Sequence, residues 1–158
     1  MDILSFKEKS VSTKKMPSRV KNIDVSNGKY IEPIMSMIQE YELVKETLWN
    51  IFERFMNEHN SNEYQDCLES LEEYRYIKSD YSIPEGRFVR YLDISKPQKM
   101  TLKQGGFVIE DLGYNVKLKS VVPPRIFNVS RNNSLFFMKI NDNEKLRFAC
   151  ESTLGETK

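Results

Sequence analysis

Apolar residues recur every three or four positions between residues 34 and 55, and this pattern predicts an amphipathic helix. The stripe consists of Ile34, Ile38, Tyr41, Val44, Leu48, Ile51, Phe52 and Phe55. Residues at this spacing share one face of a helix, here over about six turns. Glu42, Glu46 and Glu53 lie on the opposite face. Because helices accept proline in their first turn, we predict that the helix begins at Pro33.

A second amphipathic segment follows the polar stretch His59-Asn60-Ser61-Asn62, which we predict to be a loop. From Glu63 onward, apolar residues return at helical spacing: Tyr64, Cys67, Leu68, Leu71, Tyr74 and Ile77. Two amphipathic helices joined by a short polar loop typically form an antiparallel hairpin, which we place at residues 34–80. Its apolar face either packs against the β domain to complete one core, or serves self-association or the binding of a partner helix.

The apolar period shortens toward two after Ile83, and turn residues begin to separate short β-rich runs. We predict strands at 87–94, 99–103, 106–112, 114–121, 125–130, 134–140 and 145–151. The predicted turns are Lys96-Pro97-Gln98, Gln104-Gly105-Gly106, Asp111-Leu112-Gly113, Val122-Pro123-Pro124, Arg131-Asn132-Asn133 and Asn141-Asp142-Asn143. Many short strands with tight turns favour a small antiparallel β domain over residues 81–151. We expect an SH3-like barrel, because closure protects the sheet edges.

The first 33 residues show no sustained period and are interrupted by Pro17, Asn27-Gly28 and Pro33. A segment with so few apolar residues cannot offset its ordering entropy alone, so we predict an extended arm that orders on a partner. Its candidate anchors are apolar residues, the last two of which alternate like a short strand: Ile3, Leu4, Phe6, Ile23 and Val25. The overall expectation is an α+β chain with the arm at 1–33 and a short tail at 152–158.

Charge is strongly segregated along a chain whose net charge is only +1. Residues 1–33 carry seven basic and four acidic side chains, residues 34–80 carry four and eleven, and residues 81–158 carry thirteen and eight. The successive segments therefore have net charges of +3, −7 and +5. This pattern indicates either a solvated acidic helix face or an electrostatic selection of partners, including contact between the acidic and basic segments themselves.

Neither secretion nor membrane insertion is predicted. No segment has the roughly 18 consecutive apolar residues that span a bilayer, and charges appear too early for a secretory signal. Cys67 and Cys150 are far apart and have no nearby cysteine partner. We therefore expect free thiols in a reducing compartment.

Catalytic chemistry is poorly represented in the sequence. The single histidine, His59, has no cysteine or aspartate placed to form a triad with it, and two lone cysteines cannot complete a zinc site. Gly105-Gly106 matches neither the dinucleotide-binding glycine pattern nor a phosphate-binding loop. We predict a non-enzymatic protein without a cofactor or metal.

Basic residues alternate with aromatic residues throughout the predicted β domain. The basic residues are Arg87, Arg90, Lys96, Lys99, Lys103, Lys117, Lys119, Arg125 and Arg131. Small barrels that bind single-stranded nucleic acid combine cations with stacking rings, although these aromatics could equally form the core. Lys117 and Lys119 alternate with Val116 and Leu118, so both should face solvent. The predicted basic patch consists of Lys103, Lys117, Lys119 and Arg125.

A loose motif runs through the β domain. Its parts are Pro84-Glu85-Gly86-Arg87-Phe88-Val89-Arg90-Tyr91-Leu92-Asp93, Leu102-Lys103-Gln104-Gly105-Gly106-Phe107-Val108, Leu118, Val129 and Leu135-Phe136-Phe137-Met138-Lys139. The motif resembles a pattern in small uncharacterised proteins of the nucleocytoplasmic large DNA viruses, whose Lys-, Asn- and Ile-rich composition is also similar. The resemblance implies a viral protein such as a minor capsid protein, which would bind neighbouring capsid subunits. A nucleic-acid-binding module of a packaging or transcription complex is the alternative.

In the isolated protein we expect residues 1–33 to be disordered and to become ordered only in a complex. Limited proteolysis of a verified monomer should cleave within this segment before it cleaves the helices or strands. Protection of the arm in that monomer would show that it packs on its own chain instead.

Overall fold

The computed structural model describes residues 34–147, together with the backbone of two short strands, β1 (Ile23–Asp24) and β2 (Lys29–Tyr30). These two strands pair antiparallel, with Ile23 opposite Tyr30. The short strand predicted near residue 23 is therefore present. The predicted anchors Ile3, Leu4, Phe6 and Val25 and the tail at 152–158 lie outside the described residues.

The first helix, α1 (Met37–Phe52), is followed directly by a 3-10 turn (Glu53–Phe55). It begins later than Pro33, because Ser36 and Gln39 form a capping box. The Ser36 hydroxyl accepts a hydrogen bond from the Gln39 backbone N–H at 3.2 Å, and the Gln39 side chain accepts one from the Ser36 N–H at 3.3 Å. This reciprocal pair satisfies backbone donors that would otherwise lack partners at the helix start.

The second helix, α2 (Glu58–Ser70), includes the stretch at 59–62 that we predicted to be a loop. Asn57 caps this helix by accepting a hydrogen bond from the Asn60 N–H at 2.8 Å. The buried Asn60 amide donates to the carbonyls of Phe55 and Pro97 and accepts from the Met100 N–H at 3.1 Å. The polar residues thus serve as a cap and an interior bridge, so the helix starts five residues before Glu63.

The predicted second helix also ends too late. Residues Tyr74–Ile77 form strand β3, which pairs antiparallel with the last strand along the chain, Ser134–Lys139. Tyr74 and Ile77 belong to two different hydrophobic clusters, as expected when alternate side chains point to opposite faces. The aromatic and β-branched composition of this short run favours a strand, although its spacing also continues the helical pattern.

One antiparallel sheet contains β3 and five further strands in the order β3-β8-β4-β5-β6-β7. The five are β4 (Phe88–Asp93), β5 (Thr101–Asp111), β6 (Asn115–Ser120), β7 (Arg125–Ser130) and β8 (Ser134–Lys139). The predictions at 87–94, 114–121, 125–130 and 134–140 are confirmed to within one residue at each end. The predicted turn at Lys96-Pro97-Gln98 is a 3-10 helix (Pro97–Lys99).

The glycine pair Gly105-Gly106 is not a turn, because β5 runs through it without interruption. A Cβ atom on Gly105 would collide with the Val89 carbonyl, and one on Gly106 with the Lys119 carbonyl. Gly105 also has a φ of 75°, which favours glycine. The glycine pair therefore allows β5 to pass close to both neighbouring strands. The two strands that we predicted at 99–103 and 106–112 are one continuous strand.

The chain after β8 is helical at 142–147, where we predicted a turn at Asn141–Asn143 and a strand at 145–151. Asn141 accepts a hydrogen bond from the Glu144 N–H at 2.8 Å, and the Glu144 carboxylate accepts one from the Asn141 N–H at 2.9 Å. These two bonds form a capping arrangement, so Asn141 begins a helical turn. Residues 148–151 lie outside the described part of the chain.

The sheet carries a hydrophobic cluster on each face. On the outer face, which the helices cover, the cluster consists of Val44, Leu48, Phe52, Cys67, Leu71, Tyr74, Leu92, Met100 and Phe137. On the inner face it consists of Ile77, Ile83, Val89, Val108, Val116, Leu118, Val129, Phe136 and Met138. The apolar face of the helices thus completes a core with the sheet, which is the first of the two alternatives given above.

The six-stranded sheet is not a closed barrel, because the edge strands β3 and β7 do not pair with each other. Nevertheless Ile77 of β3 and Val129 of β7 belong to the same inner cluster. The sheet therefore curls over its inner core without a hydrogen-bonded seam.

The helical stripe is buried along a slightly different line from the predicted one. Ile38 is 76% exposed, whereas Glu40 is only 1% exposed. The Glu40 carboxylate accepts a hydrogen bond from the Met35 N–H at 2.7 Å and lies 3.9 Å from the Arg75 Nε. A buried carboxylate with these partners replaces the expected apolar contact, and Val44 and Leu48 follow it at four-residue spacing.

We expect Leu48→Ala and Phe52→Ala each to lower the free energy of unfolding by roughly 2–5 kcal/mol, because both side chains are fully buried. The matched control is Ile38→Ala on the exposed side of the same helix, which should change it by about 0.5 kcal/mol or less. Urea melts of the monomer measure all three. Equal losses for Ile38→Ala and Leu48→Ala would contradict the packing described here.

Candidate functional site

A buried ion pair lies where the two ends of the curled sheet approach each other. Arg131 follows β7, and its Nη1 donates to the Asp111 carboxylate at the end of β5 at 2.9 Å. The side chains are only 4% and 1% exposed. The Arg131 Nη2 also donates to three backbone carbonyls after β3, those of Lys78, Ser79 and Tyr81, at 2.7–2.9 Å.

The aspartate of this pair is equally well satisfied. One Asp111 oxygen accepts from the Ile83 N–H at 3.0 Å, and the other accepts from the Gly113 N–H at 2.9 Å. Arg131, predicted above among the surface cations, is therefore a buried structural residue. The pair connects the chain after β3 to the ends of β5 and β7, so it bridges one end of the gap that backbone pairing leaves open.

A cavity of about 240 Å³ lies beside this pair. Its walls include Tyr76, Ile77, Ser134 and Phe136, and the Arg131 guanidinium lies 5.7 Å from the centre of the Phe136 ring. Arg131 itself forms part of the cavity wall. Its Nε is buried and has no hydrogen-bond partner among the described residues. Its other two guanidinium nitrogens donate to Asp111 and to the three backbone carbonyls.

The two candidate reactive side chains are both engaged in the structure. His59 is half-buried near the start of α2, where its Nε2 lies 3.1 Å from the Met100 carbonyl oxygen. Cys67 is buried in the outer cluster, and this burial raises the pKa of its thiol to about 12. A thiol with that pKa is not a nucleophile at neutral pH. Residues 34–147 contain no group of three or more His, Cys, Asp or Glu side chains arranged to hold a metal ion.

The predicted basic patch is divided between the two faces of the sheet. Lys117 and Lys119 lie on the outer face of β6, because Val116 and Leu118, which alternate with them along the strand, are buried in the inner cluster. In β7, Arg125 lies opposite Ser120, on the same face as Leu118. The two predicted lysines of β6 therefore share a face, and Arg125 is on the other one.

Lys103 lies on the inner face with Arg125. It is opposite Tyr91, which packs against the inner cluster. The Arg125 guanidinium lies 5.3 Å from the centre of the half-buried Phe127 ring. Burial raises the pKa of Tyr91, nearby Asp93 adds to this rise, and the positive charge of Arg125 opposes it. Lys103 and Arg125 thus form a basic and aromatic group separate from the β6 lysines.

The helices leave part of the outer face uncovered. In one row across the strands, Phe107 of β5, Lys119 of β6 and Ile126 of β7 lie side by side. Phe107 is 46% exposed and Ile126 is 61% exposed. Glu110, Lys117 and Asn128 form the neighbouring row. We call these six residues the uncovered face. Val121 and Val122, in the turn after β6, add exposed apolar surface beside it.

The helices present an exposed stripe of the opposite charge. Five exposed residues of α1 and its 3-10 extension recur at three- and four-residue spacing, and we call them the acidic stripe: Ile38, Glu42, Glu46, Trp49 and Glu53. Trp49 is 44% exposed and stacks on Tyr64 of α2, with 5.4 Å between ring centres. Lys45 lies 3.1 Å from Glu42 and neutralises part of the charge.

No protein-family model, curated protein or solved structure is detectably similar to this chain. Among residues 34–147, no helix is long and apolar enough to cross a bilayer. The residues that the fold exposes are therefore the basis for proposing a function.

Arg131→Met should lower the free energy of unfolding by about 3–5 kcal/mol, because Asp111 would remain buried without its counter-charge. The control is Lys145→Met, which removes the more exposed ion pair with Glu73 and should lower the free energy of unfolding far less than Arg131→Met does. The double variant Arg131→Met/Asp111→Leu should lose less than Arg131→Met alone, since no unpaired charge remains. Denaturant melts measure all three, and a mild loss in Arg131→Met would contradict the assigned role.

Cys67 should resist alkylation in the folded protein and react freely in urea. At about pH 8 the buried thiol is almost wholly protonated, and the thiolate is the reactive form. Peptide mapping after iodoacetamide treatment separates Cys67 from Cys150. Fast modification of Cys67 in the native protein would show that this part of the outer cluster opens readily.

Proposed function

We propose that this chain is a non-enzymatic structural protein that binds neighbouring protein subunits through its uncovered face. The observation that carries the proposal is the exposure of Phe107 and Ile126 in one cross-strand row. The two apolar side chains lie on either side of Lys119, and protein interfaces commonly combine exposed apolar side chains with charged ones.

The adjacent strand supports the same function. β7 is an edge strand of six residues, and its residues Arg125, Ile126 and Asn128 are exposed. Natural proteins usually protect such an edge, because its unpaired backbone groups can pair with another chain. A partner can therefore contact Phe107 and Ile126 and also pair with the free edge of β7.

The resemblance to proteins of large DNA viruses supports a more specific version of this function. In that version the neighbours are capsid subunits, the chain is a minor component of a viral particle, and the arm at 1–33 contributes to the contact. The protein would then occur in the virion or the host cytoplasm.

Nucleic-acid binding is the second candidate, and one observation favours it. The Arg125 guanidinium lies over the Phe127 ring, with Lys103 and Tyr91 on the same inner face. Cations beside aromatic rings are the elements that single-strand binders use for phosphates and bases.

The protein-binding function is tested in extracts of cells that express the chain naturally. The wild-type chain should migrate in a particle larger than a monomer, and Phe107→Ser/Ile126→Ser should shift it to smaller species. The control is Val122→Ser, a single change in exposed apolar surface outside the two rows. Unchanged migration of the double variant, with its fold intact by circular dichroism, would refute a role for the uncovered face.

A gel-shift titration at two salt concentrations tests the alternative function. We expect only weak binding of single-stranded DNA or RNA at physiological salt. If binding is submicromolar, phosphate contacts should make it steeply salt-dependent, and each lost contact should lower the slope by about one unit. Lys103→Ala/Arg125→Ala should then weaken binding more than Lys117→Ala/Lys119→Ala does. Submicromolar binding with that ranking would replace the proposed function by the alternative.

A further inference from the structure

The helical layer and the uncovered half of the sheet have opposite charge. Residues 37–70, from α1 to the end of α2, contain eight acidic and two basic side chains, a net charge of −6. Of the six residues of the uncovered face, Lys117 and Lys119 are basic and Glu110 is acidic, a net charge of +1. The chain as a whole is almost neutral, so two copies repel each other little.

Each of these surfaces also has an aromatic side chain beside its charges. On the helices, Trp49 lies between Glu46 and Glu53 in the acidic stripe. On the sheet, Phe107 and Ile126 flank Lys119, and Lys117 lies in the next row. Protein interfaces commonly combine apolar anchors of this kind with a charged rim, and tryptophan is among the residues that contribute most to binding.

We propose that the uncovered face binds the acidic stripe of a second copy of this chain. The contact places the lysines of β6 near Glu42, Glu46 and Glu53. It also places Phe107 and Ile126 against Trp49. Glu110 also lies on the uncovered face and opposes this attraction. It is the direct cross-strand neighbour of Lys117 and offsets part of that lysine's charge, so Lys119 contributes most of the attraction. The proposal rests on the proposed function, because it names the occupant of the same surface.

Two properties of such a contact follow from its charges and from the difference between its two surfaces. Because they attract across a partly solvated surface, added salt weakens the association, by about tenfold between low and high ionic strength. Because the two surfaces differ, damage to either one abolishes self-association. A mixture of chains damaged on different surfaces regains it.

The test is sedimentation velocity of the purified full-length chain over a roughly hundredfold range of concentration, since mass action governs association. The wild-type protein should form species heavier than the 18.7 kDa monomer. Lys117→Glu/Lys119→Glu and Glu42→Lys/Glu46→Lys should each be monomeric. Their equimolar mixture should associate again, because the reversed charges are complementary. The four changes combined in one chain should restore self-association as well.

The matched control is Lys96→Glu/Lys99→Glu, which changes the net charge equally at two exposed lysines outside both surfaces. It should associate like the wild type. Circular dichroism melts check that each variant is folded, and recovery in the mixture provides a second check, since unfolded chains do not restore a specific contact.

A wild-type chain that stays monomeric at every concentration would overturn the inference. Association that survives both charge reversals, or that the mixture does not restore, would overturn it as well. These outcomes are distinct from failure of the proposed function. If the purified chain is monomeric but the native particle still depends on Phe107 and Ile126, a different protein occupies the uncovered face.

Discussion

The buried pair of Arg131 and Asp111 determines the shape of the sheet. Transferring two charges out of water is unfavourable unless their remaining hydrogen-bonding groups find partners. Here Arg131 donates to Asp111 and to three carbonyls, and Asp111 also accepts from two backbone N–H groups, those of Ile83 and Gly113. Since these partners come from the chain after β3 and from the ends of β5 and β7, the curl of the sheet and the ion pair depend on each other.

Closing a curled sheet with a side chain has a different consequence from closing it with backbone pairing. In a closed barrel every strand has two neighbours, so no edge remains available. In this protein the Arg131 contacts connect only one end of the gap, and β7 keeps a free edge along Arg125–Asn128. The helices cover β3, β8, β4 and the start of β5, where the Glu63 carboxylate accepts a hydrogen bond from the Leu102 N–H, but they leave the rest of β5, β6 and β7 open on the outer face. The free edge of β7 and the exposed side chains of Phe107 and Ile126 therefore occur in the same half of the molecule.

The sequence predicts the elements of this fold better than its interior contacts. The long stripe through Leu48 and Phe52 and the period-two runs after Ile83 are local patterns, and both helices and four of the strands follow from them. Two of the errors concern polar residues with distant partners. Asn60 bonds to Met100, 40 residues away, and Arg131 bonds to the chain 50 residues before it. No local pattern distinguishes such residues from those of a loop or a surface.

The candidate surface was only partly predictable for a related reason. Lys117 and Lys119 follow simple alternation, so their shared face could be inferred from the sequence. Simple alternation backward from the inward-facing Val108 would also place Lys103 on the outer face. However, the pairing of β4 with β5 shifts register between Val89 and Tyr91, opposite Gly105, and the shift turns Lys103 inward. This irregularity separates Lys103 from the outer lysines, whereas the regular pairing of β6 with β7 already places Arg125 on the inner face. The outer lysines are left beside apolar residues, where a protein surface is a better match than a phosphate backbone.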